Sequence, residues 1–488
     1  MNAFLALSAL ALAVSVSLVF PGEGAAAVVF CAALAAAAGL GVSRHPTHSR
    51  FLLQVFVAAL LLRMSVGALI YYFRLQEFFG GDAFTYDYHG QMYVEYWQGV
   101  REGYAEVLGA SRFRNWGMGY VVGGIYMLVG RNMLAVQFFN AVLGAATAPV
   151  IFLCARQIFQ NVRVASIATL CVAFYPSLVL WSSQGLKDGP IVFLLALAML
   201  ATLQLGGRFS AKYVGVMLFA LYGLLCFRFY IFYMTAAAVC GAFVIGMRPQ
   251  TTRNMLRQFT VVLALGLGLT YLGVLRTADA QLEVYGDLEA VQRSRADLVR
   301  SANSGFGQDV DVSTASGAIS AIPLGMAYLL FAPFPWQLAS LRQSITLPEM
   351  LAWWAAFPLL VMGIWFTVKY RLRQALPILL FTTMLTLAYS IFQGNVGTAY
   401  RQRSQILVFY FIFVAVGAVL VMERREDKRR RELLERQAAA PPLPPRRRAP
   451  ADAPRPRPHG TLSSQAGGGA DPQPPAVAAG AARNALKA

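Results

Sequence analysis

Twelve apolar runs, each about the length a helix needs to cross roughly 30 Å of hydrocarbon, dominate what this chain can fold into. They cover approximately 3–20, 25–43, 51–73, 132–157, 163–181, 188–206, 211–227, 229–247, 258–276, 347–368, 374–392 and 404–422. Only a helix or a closed barrel satisfies its own backbone in lipid, so runs of this length predict an all-α polytopic membrane protein of about 12 transmembrane helices over residues 1–422. Two shorter stretches, 117–130 and 321–335, are rich in Gly, Pro and aromatics and read as helices or loops at the membrane interface. The first run lacks a basic leader and passes straight into the second across Pro21 and Gly22, which favours a membrane hairpin over a cleaved signal. Composition agrees: 57% hydrophobic against 13% charged residues excludes the soluble enzyme classes. All five cysteines (Cys31, Cys154, Cys171, Cys226, Cys240) lie in apolar runs, so no disulfide framework or cysteine zinc site is available. The histidines His45, His48, His89 and His459 form no HExxH pair and no triad-like set.

Charge orients the runs. One set of connections carries Arg44, Arg50, Arg156, Arg163, Arg208, Lys212, Arg248, Arg253, Arg257, Lys369, Arg371 and Arg373 with no acid among them, and by the positive-inside rule these are cytoplasmic. The alternate connections hold every acid that precedes the C-terminal tail. Both termini are therefore expected in the cytoplasm of a bacterial inner-membrane protein, with the loops 74–131 and 277–346 facing outward. From 423 to 488 the chain turns basic and Pro/Ala/Arg-rich (PPLPPRRRAP, APRPRPHG), a composition that buries no core and predicts a disordered cytoplasmic tail. The run Lys428 to Arg431 suits anionic lipid headgroups rather than nucleic acid.

Residues able to carry chemistry gather in the outward connections. The first large outer loop opens with G-G-D-A-F-T-Y-D-Y-H-G, where Gly80 and Gly81 permit a sharp turn and Asp82 and Asp87 follow, flanked by Tyr86, Tyr88 and His89. A carboxylate held at the membrane surface suits a general base or a metal ligand, and a solvated turn is the plainer alternative. Residues 90–110 read as an interfacial helix roofing this loop. Four cations outside the cytoplasmic connections stand near the outer headgroup level: Lys187 in S-S-Q-G-L-K-D-G-P, Arg228 at an outer helix junction, and Arg401 and Arg403 in G-N-V-G-T-A-Y-R-Q-R. All four are candidates for holding a lipid-linked phosphate, with snorkelling to headgroups as the competing role. Arg63, deep in the third run, requires a partner inside the bundle. The segment F-A-P-F-P-W-Q is suited to lining a groove for a prenyl chain, or to plain interfacial anchoring.

In this order the features resemble the GT-C superfamily of integral-membrane glycosyltransferases, in its protein-mannosyltransferase-like and aminoarabinose-transferase-like branches. The likeness rests on Arg63, the G-G-D-A-F-T-Y-D loop, the interfacial helix, the stretch R-N-M-L-A-V-Q-F-F-N-A-V-L-G, the Phe174–Tyr175–Pro176 helix end and the pair Lys187–Asp188. It covers residues 51–206 well and the remainder loosely. The resemblance implies a GT-C-like bundle, a sugar donor on polyprenyl phosphate or diphosphate, and a glycan, lipid or protein acceptor on the outer face of the membrane. It also implies Asp82 as the catalytic carboxylate, basic residues at the departing phosphate, and inversion at the anomeric carbon. Some members need a divalent cation, Mg or Mn, and others do not; Asp82 with Asp87 could serve either case. The family often adds a soluble domain after its last crossing, and here only the tail follows.

Two other classes fit multi-pass chains of this kind. An O-antigen-type polymerase or ligase would depend on Arg401 and Arg403 and ignore Asp82. A transporter or flippase would place ionisable residues and broken helices at mid-membrane in repeated halves, whereas only Arg63 lies deep in a run and no internal repeat is found.

Overall fold

The computed structural model describes residues 3–79, 81–100, 117–247, 251–274, 281, 287–300, 304–338 and 340–439. Among these the regular structure is helical, apart from a single antiparallel bridge between Gly305 and Asn395. It divides into two units, Met1–Val419 and Leu420–Ala488.

The first unit opens with α1 (Ala3–Val19) and α2 (Gly24–Ser43), the expected hairpin, followed by α3 (Ser49–Tyr72). Then come α4 (Asp82–Trp97), α5 (Gly117–Val129) and α6 (Met133–Phe159). The run expected at 163–181 is broken into α7 (Val162–Phe174) and α8 (Pro176–Ser182), bent by 53°. Proline at the first position of α8 has no N–H to continue α7. Next are α9 (Asp188–Leu205), α10 (Ala211–Phe227), α11 (Phe229–Ile245) and α12 (Thr252–Tyr271). The second outer connection contributes α13 (Leu288–Arg300) and α14 (Ala315–Phe331), and the unit closes with α15 (Leu341–Phe392), α16 (Val396–Gln402) and the start of α17 (Ser404–Ala439).

Six helices (α2, α3, α6, α9, α15 and α17) are long and apolar enough to cross a membrane, and the bent pair α7–α8 makes a seventh. The shorter apolar helices are α1, α5, α10, α11 and α14. This is a multi-pass membrane protein. The most apolar stretch of α9 is 83% buried against other helices and that of α2 only 17%, so α9 is central and α2 faces lipid. Asparagine side chains start several helices, Asn132 accepting from Ala135 N at 2.9 Å and Asn161 from Arg163 N at 2.9 Å.

The runs 347–368 and 374–392, expected as two crossings, are the two halves of α15, which kinks and folds back at Arg371 (φ −136°, ψ 20°). At 1.5 Å per residue its length suffices for two passes through a bilayer. Trp353 and Gly363 before Arg371, and Phe381 and Tyr389 after it, all pack on residues 405–413 of α17. The G-G-D loop is shorter than expected: α4 begins at Asp82 itself, with Gly81 as its N-cap at φ +72°, a conformation glycine adopts without penalty. The interfacial helix thus spans 82–97 rather than 90–110, of which 101–110 lie outside the described residues. Finally, the tail does not begin at 423. α17 continues to Ala439 through Glu-, Arg- and Leu-rich turns with an i,i+4 pair, Lys428–Glu432, and no proline before Pro441. The expected disorder of 440–488 lies outside the described residues.

Candidate active site

Two carboxylates sit at helix N-termini, where the macrodipole favours a negative charge: Asp82 opens α4 and Asp188 opens α9. Between them lies Arg401, in the last turn of the two-turn helix α16. Its Nη1 donates to Asp82 Oδ2 at 2.6 Å and its Nε donates to Asp188 Oδ2, also at 2.6 Å. Arg228, in extended conformation between α10 and α11, brings Nη2 to 3.6 Å from Asp188 Oδ1. Lys187, the residue before α9, is electrostatically coupled to all four groups. Residues more than 300 positions apart thus meet where the starts of α4 and α9, the α10–α11 junction and α16 come together.

Burial divides the roles. The Asp188 side chain is 1% exposed and serves as the internal counter-ion that holds Arg401 and Arg228 side by side. The Asp82 side chain is 47% exposed, so its carboxylate is reachable from solvent. Burial opposes the charge of Arg401, yet Asp188 and Asp82 outweigh it and keep the guanidinium firmly protonated. For Lys187, burial and then the neighbouring Arg228 lower the ammonium to about 8. Burial and the adjacent Asp82 push the Tyr86 hydroxyl upward, so it stays a neutral donor. Arg228 Nη1 and Arg401 Nη2 are buried and donate to no group among the described residues. Buried guanidinium N–H groups without an acceptor are costly, and three cations face only two carboxylates here. The arrangement suits an incoming anion.

Of the residues singled out in the sequence, the structure brings together Asp82, Tyr86, Lys187, Arg228 and Arg401. The others are placed elsewhere. Arg403 is fully buried, donates through Nη1 to the carbonyls of Leu330 (3.1 Å) and Ala332 (3.2 Å), and stacks over Tyr400. It closes the C-terminal end of α14, which Pro333 prevents from continuing. Arg63 plays the same part for α7: it donates to Ala173 O at 2.7 Å, Val172 O at 3.3 Å and Ser182 Oγ at 2.8 Å. The residue four after Val172 is Pro176, so that carbonyl has no helical donor and the guanidinium replaces it. Tyr88 and His89 are exposed on α4, their rings tilted against one another 6.0 Å apart.

Asp87 is turned away from Asp82. Its carboxylate accepts from the Tyr126 hydroxyl and from Arg131, with Nε at 3.2 Å, which ties α4 to α5 and to the start of α6. Asp82 and Asp87 therefore do not fit as a shared ligand pair for Mg or Mn, and among the described residues no three His, Cys, Asp or Glu side chains converge. The second outer segment from 331 to 337 carries a stacked pair, Phe334 on Trp336, with Trp336 exposed.

Three participants escaped sequence reasoning. Asp188 was visible only as the acid half of a Lys–acid pair, not as the bridge between two arginines. Trp181, whose ring lies 5.8 Å from the Arg401 guanidinium, gave no signal among so many apolar residues. Arg131 did carry one, being another cation in an acid-bearing connection.

No curated protein matches the chain. Residues 116–272, from α5 to the end of α12, match the model of a family described as dolichyl-phosphate-mannose-protein mannosyltransferase. The matched stretch contains Lys187, Asp188 and Arg228, while Asp82 and Arg401 lie on either side of it. Together with the helical membrane architecture, this match bears out the likeness to the GT-C superfamily and supports a GT-C-like membrane glycosyltransferase that uses a polyprenyl-phosphate-linked sugar.

Proposed function

We propose that this protein transfers a sugar from a polyprenyl-phosphate donor to a glycan, lipid or protein acceptor on the outer face of a bacterial inner membrane, with inversion at the anomeric carbon. The observation that carries this reading is the convergence of a solvent-reachable carboxylate, Asp82, with three cations ordered around the buried Asp188. In this scheme the acceptor hydroxyl loses its proton to Asp82 as its oxygen bonds to the anomeric carbon, and the bond from that carbon to the phosphate oxygen breaks. The leaving phosphate gathers negative charge as it departs. The unpartnered N–H groups of Arg401 and Arg228, with the Lys187 ammonium, oppose that charge without needing to reorganise. Arg403 has no part in this chemistry, since its guanidinium is committed to main-chain carbonyls.

The test is sugar transfer from a labelled polyprenyl-phosphate donor by purified protein, with donor binding measured in parallel. Asp82→Asn keeps the shape and hydrogen bonding but cannot accept the proton, so turnover should fall by about two to four orders of magnitude while donor binding persists. Arg401→Ala should weaken donor binding itself, by about ten- to a hundredfold, the worth of a hydrogen bond to a charged group. Near-normal turnover in Asp82→Asn would refute the general-base role and shift the balance to an arginine-dependent polymerase.

A further inference from the structure

Arg401 sits on a helix of only two turns, too short to hold its own position. What holds it is the second outer connection, none of whose described residues belongs to the charge cluster. Between Ser304 and Phe306 that connection pairs with 394–396 as a miniature two-stranded bridge, Phe306 N donating to Gly394 O at 2.8 Å and Val396 N to Ser304 O at 3.1 Å. Ser304 Oγ also reaches Asn395 Oδ1 at 2.9 Å, the same oxygen that caps α16 by accepting from Gly397 N at 2.8 Å. Behind the bridge lies Arg295 of α13, 2% exposed. Its Nη1 donates to Ile391 O at 3.1 Å and to Gln393 O, its Nη2 donates to Gly307 O at 3.4 Å, and its guanidinium stacks 5.6 Å from the Phe306 ring. Gly394 permits this approach, because a Cβ there would come within 2.5 Å of Val299 and 3.1 Å of the Arg295 carbonyl.

We infer that Arg295 is a positioning residue: from the second outer connection it clamps the end of α15 and the bridge 394–396, and so sets where Arg401 presents its guanidinium to the donor phosphate. The inference rests on the phosphate-binding reading of Arg401 given above. One guanidinium ties together the carbonyls of Ile391 and Gln393, which lead into the bridge and lie within ten residues of Arg401 along the chain, and the Gly307 turn. A neutral side chain of similar length leaves those carbonyls unpaired and frees the lead-in to α16. Arg401 then loses its fixed place between Asp82 and Asp188, although no contact to the anion itself has been removed.

The test is a double-mutant cycle on the full-length protein in detergent, read as binding of undecaprenyl phosphate by native mass spectrometry. Arg295→Met should weaken binding about tenfold when Arg401 is present and change it less than about twofold in the Arg401→Ala background, because a residue that acts through Arg401 has nothing to position once Arg401 is gone. Arg295→Lys, which still donates to one carbonyl, should recover part of the loss. Asn395→Ala cuts the Ser304 contact and the α16 cap while leaving Arg295 in place, and it should show the same dependence on Arg401; it decides the matter if Arg295→Met does not fold. Equal losses with and without Arg401 would overturn the inference, since Arg295 would then be supporting the fold at large. Unchanged binding in both Arg295→Met and Asn395→Ala, alongside weakened binding in Arg401→Ala, would overturn the clamp and leave the phosphate reading standing. Unchanged binding in Arg401→Ala would remove both.

Discussion

Buried arginines in this protein do two different jobs, and their acceptors tell them apart. Arg63, Arg295 and Arg403 donate to main-chain carbonyls at helix ends, whereas Arg228 and Arg401 face a carboxylate. Arg228 Nη1 and Arg401 Nη2 have no acceptor among the described residues, whereas in Arg295 and Arg403 only Nε lacks one, so the spare terminal nitrogens able to meet a ligand belong to the second pattern. Lys187 adds a titration to the site. The folded protein releases its proton at about 8 and the unfolded chain holds it to about 10.5, so below 8 the ammonium is present and above it the cation is lost. Donor affinity should therefore fall as pH rises from about 7 to 9.5, by up to about tenfold per unit, while the contribution of Lys187 to stability rises over the same window because the unfolded state binds the extra proton. Lys187→Met should flatten both curves, and a donor-binding profile of unchanged slope in that variant would contradict the assignment. Asp87 belongs to the structural class despite its place in the motif. Removing it strands the Tyr126 hydroxyl, so Asp87→Ala should lower stability by about 1–3 kcal/mol, and added Mg or Mn should not restore activity; recovery of activity on titrating either ion would reopen a metal site.

At the scale of elements, the broken helix α7–α8 and the intramembrane Arg63 explain one another. Pro176 removes the donor for Val172 O, the bend orphans Ala173 O, and the guanidinium meets both, which is what makes a charge tolerable inside the bundle. Arg63→Leu should destabilise the protein in detergent by about 2–4 kcal/mol, since each buried carbonyl left unpaired costs about 1–3 kcal/mol. Pro176→Ala supplies an N–H at the break, so the double variant should lose less than the two single losses combined, measured as thermal melting midpoints; strict additivity would mean the two features are unrelated. The same break bends the chain so that Trp181 and Ser182 arrive beside Arg401 and Arg63. A helix end created for packing reasons thus also builds one wall of the site.

For the molecule as a whole, the decisive question is which end of the bundle faces outward. The contacts place the basic connections together, Arg257 donating to the carbonyls of Gly206 and Gly207 at 2.9 Å each and His45 packing on Phe152. The charge cluster lies among the acid-bearing connections instead. Reporter fusions after Asp82 and within 287–300 should read extracytoplasmic and a fusion at 440 cytoplasmic; a cytoplasmic reading at Asp82 would remove the proposed chemistry from the outer face. Truncation after Ala439 should leave turnover within about twofold of the full chain, since every described residue of the cluster lies at or before Arg401. Loss of activity in a well-expressed truncation would show that the tail takes part.

What the amino-acid sequence determined by itself is what depends on local composition. Lipid solvation dictates that long uncharged runs become helices, and the charge asymmetry of the connections sorts those helices into two ends. That logic singles out Asp82, Lys187, Arg228 and Arg401, each conspicuous as a charge in an outward connection, and the structure brings the four together. The same logic named no partner for either Arg401 or Arg403, two residues apart with the same chemistry. Only the tertiary structure decided that one turns toward Asp82 and Asp188 and the other toward the end of α14. The difference arises because a side chain's acceptor is set by which distant helix end packs against it. Such pairings, between positions hundreds of residues apart, leave no period or spacing in a single chain for composition to reveal.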